Sequence, residues 1–194
     1  SGGELDTLAA REAQMGRSFA AQQEEAAAEA ELAKASGSEE QYREAVKRMR
    51  TIGTIAFEEM ALVRHEMALA KVPMMIETIR DRLEETQKIL VFAHHKDVLE
   101  TLHTAFRPSS VMVHGGHEQR AREEAVQRFQ RDPGCRVFFG SIRATGEGYN
   151  LTAATLVMFH EFDWVPSKMV QCEDRAHRIG QRDATVVLDL LDHS

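Results

Sequence analysis

The chain is poor in aromatic residues and cysteine and has no long apolar run. Aromatic residues make up 6% of its 194 residues, so aliphatic side chains must fill most of the core that a hydrophobic content of 43% allows. Cys135 and Cys172 are far apart and form no Cys-x-x-Cys pair, which predicts a reduced, intracellular protein. No apolar run approaches the roughly 20 residues that span a bilayer, so no membrane partner is expected.

Two motifs of nucleotide hydrolysis are also missing from the sequence. No glycine is followed by lysine, which excludes a phosphate-binding loop ending in Gly-Lys-Ser/Thr, and no Asp-Glu pair is present to hold Mg²⁺ after a strand. We therefore expect no ATP hydrolysis from this chain alone. The formal net charge of -7 argues against coating of nucleic acid by a basic surface, while a local basic groove stays possible.

The first 70 residues are predicted to form a helical hairpin. An Ala- and Glu-rich helix ends at a Ser-Gly-Ser break, and Ser38 with Gln41 forms a capping box for a second helix. Apolar residues in steps of about four and three predict a seam on that second helix, formed by Tyr42, Val46, Met49, Ala56, Met60, Val63 and Met67. The first helix offers a thinner stripe of Leu8, Met15, Phe19, Ala26, Ala30 and Ala33. We expect an antiparallel pair that is either purely structural or a partner-binding arm.

The second part of the sequence has a different periodicity. After Pro73 and a further helix through Leu83, short apolar runs alternate with amphipathic stretches. The predicted strands are Ile89–Ala93, Val111–Val113, Arg136–Phe139, Thr155–Phe159 and Thr185–Leu191, with helices between them at about 95–106, 118–130 and 166–177. This alternation predicts an α/β fold, a parallel sheet with helices on both faces, preceded by the long helical hairpin. We expect two domains, residues 1–70 and 71–194.

Parallel sheets carry their working loops beyond the carboxyl ends of the strands, which directs attention to the residues after each predicted strand. On the helix near the end of the chain, Gln171, Arg175 and Arg178 share one face. Two permanently charged guanidinium groups beside a glutamine suit a polyanion, because each can bind phosphate bidentately. Spacing alone nevertheless favours surface ion pairs with Glu173 and Asp174.

Two glycines follow the predicted strand that ends at Phe139. Gly146 and Gly148 would let the backbone approach phosphate, sugar or a neighbouring element. A Gly-x-Gly turn is a weak signal on its own. It is not a dinucleotide fingerprint, because the third glycine and the helix after it are missing.

Two histidine pairs follow other predicted strands. His94 and His95 come after Ala93, and His114 and His117 enclose a tight Gly-Gly turn. No matching Cys or carboxylate set completes either pair, so we predict no metal site. Contact with a backbone phosphate is the favoured interpretation.

Taken together, these segments resemble the C-terminal helicase lobe of the Swi/Snf-related ATPases, which are superfamily-two DNA translocases. The run Gln-Cys-Glu-Asp-Arg-Ala-His-Arg-Ile-Gly-Gln at 171–181 resembles their motif VI, and 141–151 resembles motif V. Phe-Asp-Trp-Val-Pro at 162–166 is similar to the segment that follows motif V, and 88–96 is similar to motif IV of the annealing-helicase branch. The Leu-Ala-Lys-Val-Pro at 69–73 matches the lead-in to this lobe.

The resemblance implies a RecA-like fold, with ATP and Mg²⁺ held mainly by the N-terminal RecA-like lobe of the same protein. Arg175 and Arg178 would be arginine fingers that stabilise charge in the transition state, and Gln171 would align their helix. Gly146 and Gly148 would couple the nucleotide site to the DNA track. Double-stranded DNA would be followed by backbone contacts without base readout. The candidates for those contacts are Ser141, Arg143, His94, His95, Lys96, His114 and Gly115.

The sequence departs from the family pattern at several positions. His114 stands where Asp usually precedes Gly, Val165 replaces the usual Asn, and Glu147 and Tyr149 replace apolar residues in motif V. These changes suggest a divergent member, located in the cytoplasm if bacterial or viral and in the nucleus if eukaryotic. A non-catalytic adaptor or regulatory module that keeps the lobe fold is the alternative, and an RNA helicase lobe is a third interpretation.

Overall fold

The structure, a computed structural model, describes residues 2–142, 144 and 151–160, and the backbone of 186–189. It divides into two compact units, residues 1–70 and 71–194. Four helices and five strands lie in the described residues. The helices are α1 (Gly2–Ala35), α2 (Glu39–Glu85), α3 (Lys96–Ala105) and α4 (Gln119–Arg131). The strands are β1 (Ile89–Ala93), β2 (Ser110–Val113), β3 (Val137–Ser141), β4 (Leu156–Phe159) and β5 (Val186–Asp189).

In the first unit α1 and α2 form the expected antiparallel hairpin. Arg11 pairs with Glu66 at 2.9 Å, whereas Glu29 near the other end of α1 pairs with Arg48 at 2.8 Å, so the two helices run in opposite directions. The start of α2 is capped as predicted, because the hydroxyl of Ser38 accepts a hydrogen bond from the backbone N–H of Gln41 at 3.4 Å. Such exposed ion pairs contribute little energy, so packing must hold the helices together.

The seam of the hairpin differs in part from the predicted one. The predicted alanines of α1 are buried, and Val63 of α2 is 1% exposed. Tyr42, however, is 40% exposed, and the other buried residues of α2 in this unit are Ala45, Ile52 and Ala68. The buried residues of α1 are alanines, and those of α2 in this unit are alanine, valine and isoleucine. The exposed position of Tyr42 is therefore a correction to the predicted seam.

α2 continues through Pro73, which is a correction to the boundary expected near that residue. Proline removes one backbone hydrogen bond from a helix interior and normally costs about 3 kcal/mol. Pro73 lies on the exposed side of α2, while Val72, Met75 and Ile79 on the other side are 5%, 0% and 0% exposed. Burial of these three side chains, at about 1.5–3 kcal/mol each, outweighs the loss.

The second unit contains a parallel five-stranded sheet in the order β2-β3-β1-β4-β5. Each central strand is an almost unbroken apolar run, as strands covered on both faces require. The observed limits of β1 are those predicted, and the other strands differ from prediction by one or two residues at their ends.

Helices cover both faces of this sheet, as β3 shows most directly. Phe138 and Phe139 are consecutive, so their side chains point to opposite faces. Phe138 contacts Phe129 of α4 at 5.5 Å between ring centroids, and Phe139 contacts Phe106, at the end of α3, at 5.9 Å. Since these aromatic rings are fully or nearly fully buried, α4 and α3 seal the two halves of the core.

Candidate nucleic-acid interface at the carboxyl edge of the sheet

The parallel register brings four chain segments to one edge of the sheet. Ala93 at the end of β1 pairs with Ser141 at the end of β3, and Phe92 pairs with Phe159 at the end of β4. The end of β2 lies at the same edge, because Val113 pairs with Gly140. The predicted DNA contacts in the described residues therefore lie at one edge, which holds His94, His95, Lys96, His114, Gly115 and Ser141.

The segment after β1 leads directly into α3. The rings of His94 and His95 meet edge to face at 4.9 Å between centroids. His95 is the N-cap of α3 but makes no side-chain cap hydrogen bond. In its place Oδ1 of Asp97 accepts the N–H of Val98 at 2.9 Å. Lys96 is well exposed and contacts Glu100 at 3.4 Å, and an ion pair of this kind is weak enough to yield its cation to a stronger anion.

The segment after β2 is a compact turn, residues 114–117, which we call the 114–117 loop. The rings of His114 and His117 stack with centroids 3.8 Å apart. Nδ1 of His114 accepts the N–H of Gly116 at 3.0 Å, and Nδ1 of His117 accepts the N–H of His114 at 3.3 Å. A Cβ at Gly116 would lie 3.0 Å from the His114 ring, a tight contact, so a larger residue there would require that ring to move.

Arg122 of α4 braces this loop. Its Nε donates to the carbonyl of His117 at 2.8 Å, and its Nη2 donates to the carbonyl of Gly115 at 2.9 Å. Charge-assisted hydrogen bonds from a planar guanidinium fix two carbonyls at once. The loop is therefore held both by its own rings and by a side chain from the following helix.

Burial, together with the charges around the 114–117 loop, disfavours protonation of its histidines. Burial, followed by the charges of His117 and Lys96, lowers the pKa of His114 from its usual 6.5. The pKa of His117 is lowered by burial and by the charges of Arg122 and Lys96. Glu100 acts in the opposite direction on both rings but does not overcome these effects. Both imidazoles are therefore neutral at neutral pH.

The end of β3 begins the segment predicted to resemble motif V. Ser141 is 9% exposed, and the backbone N–H of Ile142 donates to the carbonyl of Ala93 at 3.2 Å, which ties this segment to β1. Arg143, Gly146 and Gly148 lie outside the described residues.

The proposed arginine fingers also lie outside the described residues. Gln171, Arg175 and Arg178 fall in sequence between β4, which ends at the carboxyl edge, and β5, which runs parallel to it. The alternative ion pairs with Glu173 and Asp174 concern the same segment.

The role of Arg122 and the position of His160 at this edge were not predicted from the sequence. Arg122 braces the 114–117 loop through backbone carbonyls, and such acceptors have no sequence signature. His160 is 2% exposed, and its backbone N–H donates to the carbonyl of Phe92 at 2.9 Å. A pattern could have revealed it, because β1, β2 and β4 are each followed at once by histidine, at His94, His114 and His160.

Within the described ranges no group of three or more His, Cys, Asp or Glu side chains could hold a metal ion. None of the helices described there is long and apolar enough to cross a membrane.

The sheet order, the helices on both faces and the polar carboxyl edge define the second unit as a RecA-like lobe of helicase type. The helicase conserved C-terminal domain family matches residues 70–180, more than half of the chain, and the chain belongs to this family. Within it, the chain is a C-terminal lobe of the Swi/Snf-related type, as its relatives show.

One relative, from Drosophila melanogaster, is the SWI/SNF-related matrix-associated actin-dependent regulator of chromatin subfamily A-like protein 1. It is 32% identical over 119 residues, which cover 60% of this chain and 16% of the fly protein. The human DNA annealing helicase and endonuclease ZRANB3 is 37% identical over 148 residues, covering 72% of this chain and 14% of that protein. The chain thus spans a small part of the length of these relatives.

A solved structure supports the same fold. The crystal structure of the C-terminal part of the Fun30 ATPase domain matches with a TM-score of 0.52 and 25% sequence identity. The match covers 62% of this chain and 38% of that chain.

Proposed function

We propose that the chain is the second motor lobe of an ATP-dependent DNA translocase, supplying arginine fingers and part of the DNA track. The observation that carries this proposal is the motif VI sequence at 171–181, most of which falls within the family match at 70–180. A lobe of this kind completes a nucleotide site that another lobe begins, because its own sequence has no phosphate-binding loop.

In this proposal ATP and Mg²⁺ are held mainly by an N-terminal RecA-like lobe of the same protein. Arg175 and Arg178 reach the triphosphate and stabilise the charge that develops as the terminal phosphoryl group leaves, and Gln171 aligns their helix. Gly146 and Gly148 connect that site with the DNA track. Gln171 thus contributes to positioning, and the two arginines contribute positive charge. Bound Mg²⁺ would further neutralise the phosphate oxygens.

Duplex DNA lies along the carboxyl edge of the sheet in this proposal. Lys96 offers an exposed ammonium group, and Gly115 offers an exposed backbone in the braced 114–117 loop. Ser141, Arg143, His94, His95 and His114 complete the proposed contacts. Phosphate contacts of this sort position a protein on DNA without reading its sequence, as translocation requires. Its place of action is inside the cell, and the eukaryotic relatives favour the nucleus.

The arginine fingers can be tested in the complete protein that carries both lobes. We expect duplex DNA to stimulate its ATP hydrolysis, and Arg178→Ala to lower the stimulated rate by about 10³-fold or more, the range known for finger arginines. Arg178→Lys should restore only part of the rate, because an ammonium group lacks the planar fork. The 194-residue chain alone should show no ATP hydrolysis.

The matched control is Arg120→Gln, which removes an exposed arginine of α4 that pairs with Glu124 on the same helix. Its stimulated rate should equal that of the unmodified protein. Unchanged turnover in Arg178→Ala would refute the finger assignment. Absence of nucleotide hydrolysis in the complete protein would favour the adaptor alternative, and stronger stimulation by duplex RNA than by duplex DNA would favour an RNA helicase.

A further inference from the structure

The 114–117 loop depends on the protonation state of its two histidines. Nδ1 of His114 and Nδ1 of His117 each accept a hydrogen bond from a backbone N–H, at 3.0 and 3.3 Å. A backbone N–H can only donate, so both nitrogens must be unprotonated, and the single proton of each ring resides on Nε2. Adding a proton at Nδ1 replaces each hydrogen bond by two opposed N–H groups.

The stack of the two rings adds a second penalty. The imidazole centroids are 3.8 Å apart with planes inclined at 29°, so two imidazolium ions would lie face to face. The charged groups around them are Lys96 and Glu100 from α3, Arg122 from α4, and His103, whose own pKa is lowered in part by His117. Glu100 is the one carboxylate among these, and it already contacts Lys96 at 3.4 Å.

The folded loop presents an open backbone donor. Gly115 is exposed, and a Cβ built on it would meet nothing within 4 Å. Its carbonyl is turned to Arg122, which donates to it at 2.9 Å. For the N–H of Gly115, the described part of the chain holds no acceptor. The N–H of an exposed glycine suits a phosphate oxygen, because glycine has no side chain to obstruct its approach.

We propose that the 114–117 loop is a proton-controlled DNA contact, with Arg122 as its positioning residue. With both rings neutral, the stack and Arg122 hold the loop in the shape that presents Gly115 to a backbone phosphate. Protonation of the stack breaks the ring-to-backbone hydrogen bonds and releases that shape. The inference rests on the proposed function, since it takes the carboxyl edge of the sheet as the DNA track.

This mechanism predicts an effect opposite to that of ordinary histidines near DNA. Protonated histidines in general strengthen binding to phosphate through their charge. Here acidification should weaken the contact, because the loop loses its shape. The lowered pKa values of both rings agree with this, since a folded form that resists protonation is destabilised when protonation is forced.

The first test uses the complete two-lobe protein and duplex DNA. We expect the DNA concentration that gives half-maximal ATPase stimulation to rise several-fold as the pH falls from 7.5 to 5.5. The double variant His114→Asn/His117→Asn should lose this rise, because the amide oxygen of asparagine replaces Nδ1 as acceptor and does not titrate. Arg122→Gln should raise the half-maximal concentration by about tenfold at every pH, as expected for the loss of two charge-assisted hydrogen bonds. Its maximal rate should change much less.

Arg120→Gln on the same helix is the matched control and should leave the half-maximal DNA concentration unchanged. A double asparagine variant that keeps the pH dependence of the unmodified protein would overturn the inference. So would a half-maximal DNA concentration that falls on acidification.

A second measurement, without DNA, separates this inference from the proposed function. Hydrogen-exchange protection of the His114 and Gly116 amides in the 194-residue chain should be lost between pH 7.5 and 5.5. It should persist in the double asparagine variant. Protection that persists in the unmodified chain refutes the switch even if DNA stimulates the motor. Loss of protection without any stimulation by DNA refutes the DNA track while leaving a proton-sensitive loop.

Discussion

At two helix ends in the second unit a single basic side chain binds the last carbonyls. Lys88 donates to the carbonyls of Phe129 and Asp132 at the end of α4 and lies 5.2 Å from the centroid of the Phe129 ring. Arg136 donates to the carbonyls of Leu83, Thr86 and Gln87 at the end of α2. The last carbonyls of a helix have no partner within it, so each cation satisfies groups that would otherwise be left to water.

Arg136 gives a prediction at this scale. Arg136→Gln should lower the free energy of unfolding of the 194-residue chain by about 2 kcal/mol, because it removes charge-assisted hydrogen bonds to three carbonyls. Urea unfolding followed by circular dichroism would measure the change. Arg120→Gln, which loses one exposed pair with Glu124, should change it by less than about 0.5 kcal/mol. Equal midpoints for the two variants would show that Arg136 does not hold the helix end.

Among the elements, α2 is the one in which tertiary packing overrides local preference. Pro73 lacks the N–H that would reach the carbonyl of Leu69, yet the helix runs on to Glu85. We expect Pro73→Ala to raise the free energy of unfolding by about 1–3 kcal/mol, since it restores a donor on the exposed side of a helix that is already formed. Urea denaturation of the two chains provides the comparison.

The control for this change is Pro133→Ala, and its effect should have the opposite sign. Pro133 lies in a turn closed by the N–H of Cys135 donating to the carbonyl of Asp132 at 3.1 Å, where a fixed proline φ is an advantage. Replacing it by alanine should lower the free energy of unfolding by about 0.4–1 kcal/mol, because the unfolded chain gains conformational freedom. Destabilisation by both alanines would mean that Pro73 also occupies a position suited to proline.

The strands could be predicted from the sequence, whereas the details of the edge could not. β1 is a run of five apolar residues, Ile89–Ala93, and such a run between polar segments has few alternatives to a buried strand. The seam position of Tyr42 was wrong, because periodicity gives a helix face but not the size of the side chains opposite it. The bracing of the 114–117 loop by Arg122 could not be predicted, since carbonyl acceptors are the same at every residue.

The candidate site divides in the same way. The alternation of predicted strands and helices placed the residues after β1, β2 and β3 at one edge, because parallel strands bring their carboxyl ends together. Their role as DNA contacts came from the resemblance and stays a prediction. The finger role of Arg175 and Arg178 stays a prediction, and it depends on a lobe that this sequence does not contain. A sequence motif predicts the type of ligand, whereas the register of the sheet shows which loops lie close enough together to bind it.

At the scale of the whole molecule, acidity is unevenly distributed. The first 60 residues contain 7 Lys and Arg and 12 Asp and Glu, so most of the net charge of -7 belongs to the hairpin. The second unit is therefore close to neutral, and the charge of its histidines can decide its electrostatic balance near their pKa. Of the seven histidines in the part of the chain that the structure describes, five lie at the carboxyl edge of the sheet, at His94, His95, His114, His117 and His160.

The stability of the chain should fall on acidification, because three of its histidines have lowered pKa values in the folded state. Burial lowers the pKa of His103, as do the charges of Arg107, Arg128 and His117, and the pKa values of His114 and His117 are lowered in the same direction. Below the usual value of 6.5 the unfolded chain binds protons that the folded chain resists. The stability that these rings provide as neutral groups is complete above that pH and is lost as the pH falls through their lower folded values.

Urea unfolding of the 194-residue chain at pH 7.5, 6.5 and 5.5 would measure this loss. The triple variant His103→Asn/His114→Asn/His117→Asn is the control, because asparagine keeps a hydrogen-bonding group near the position of Nδ1 without titrating. Its midpoint should fall less between pH 7.5 and 5.5 than that of the unmodified chain. Nδ1 of His103 lies 2.8 Å from the hydroxyl of Ser110, and an asparagine at position 103 can still make this hydrogen bond. Equal pH dependence in the two chains would mean that other groups control the acid stability of this lobe, and that these three histidines titrate alike in the folded and unfolded states.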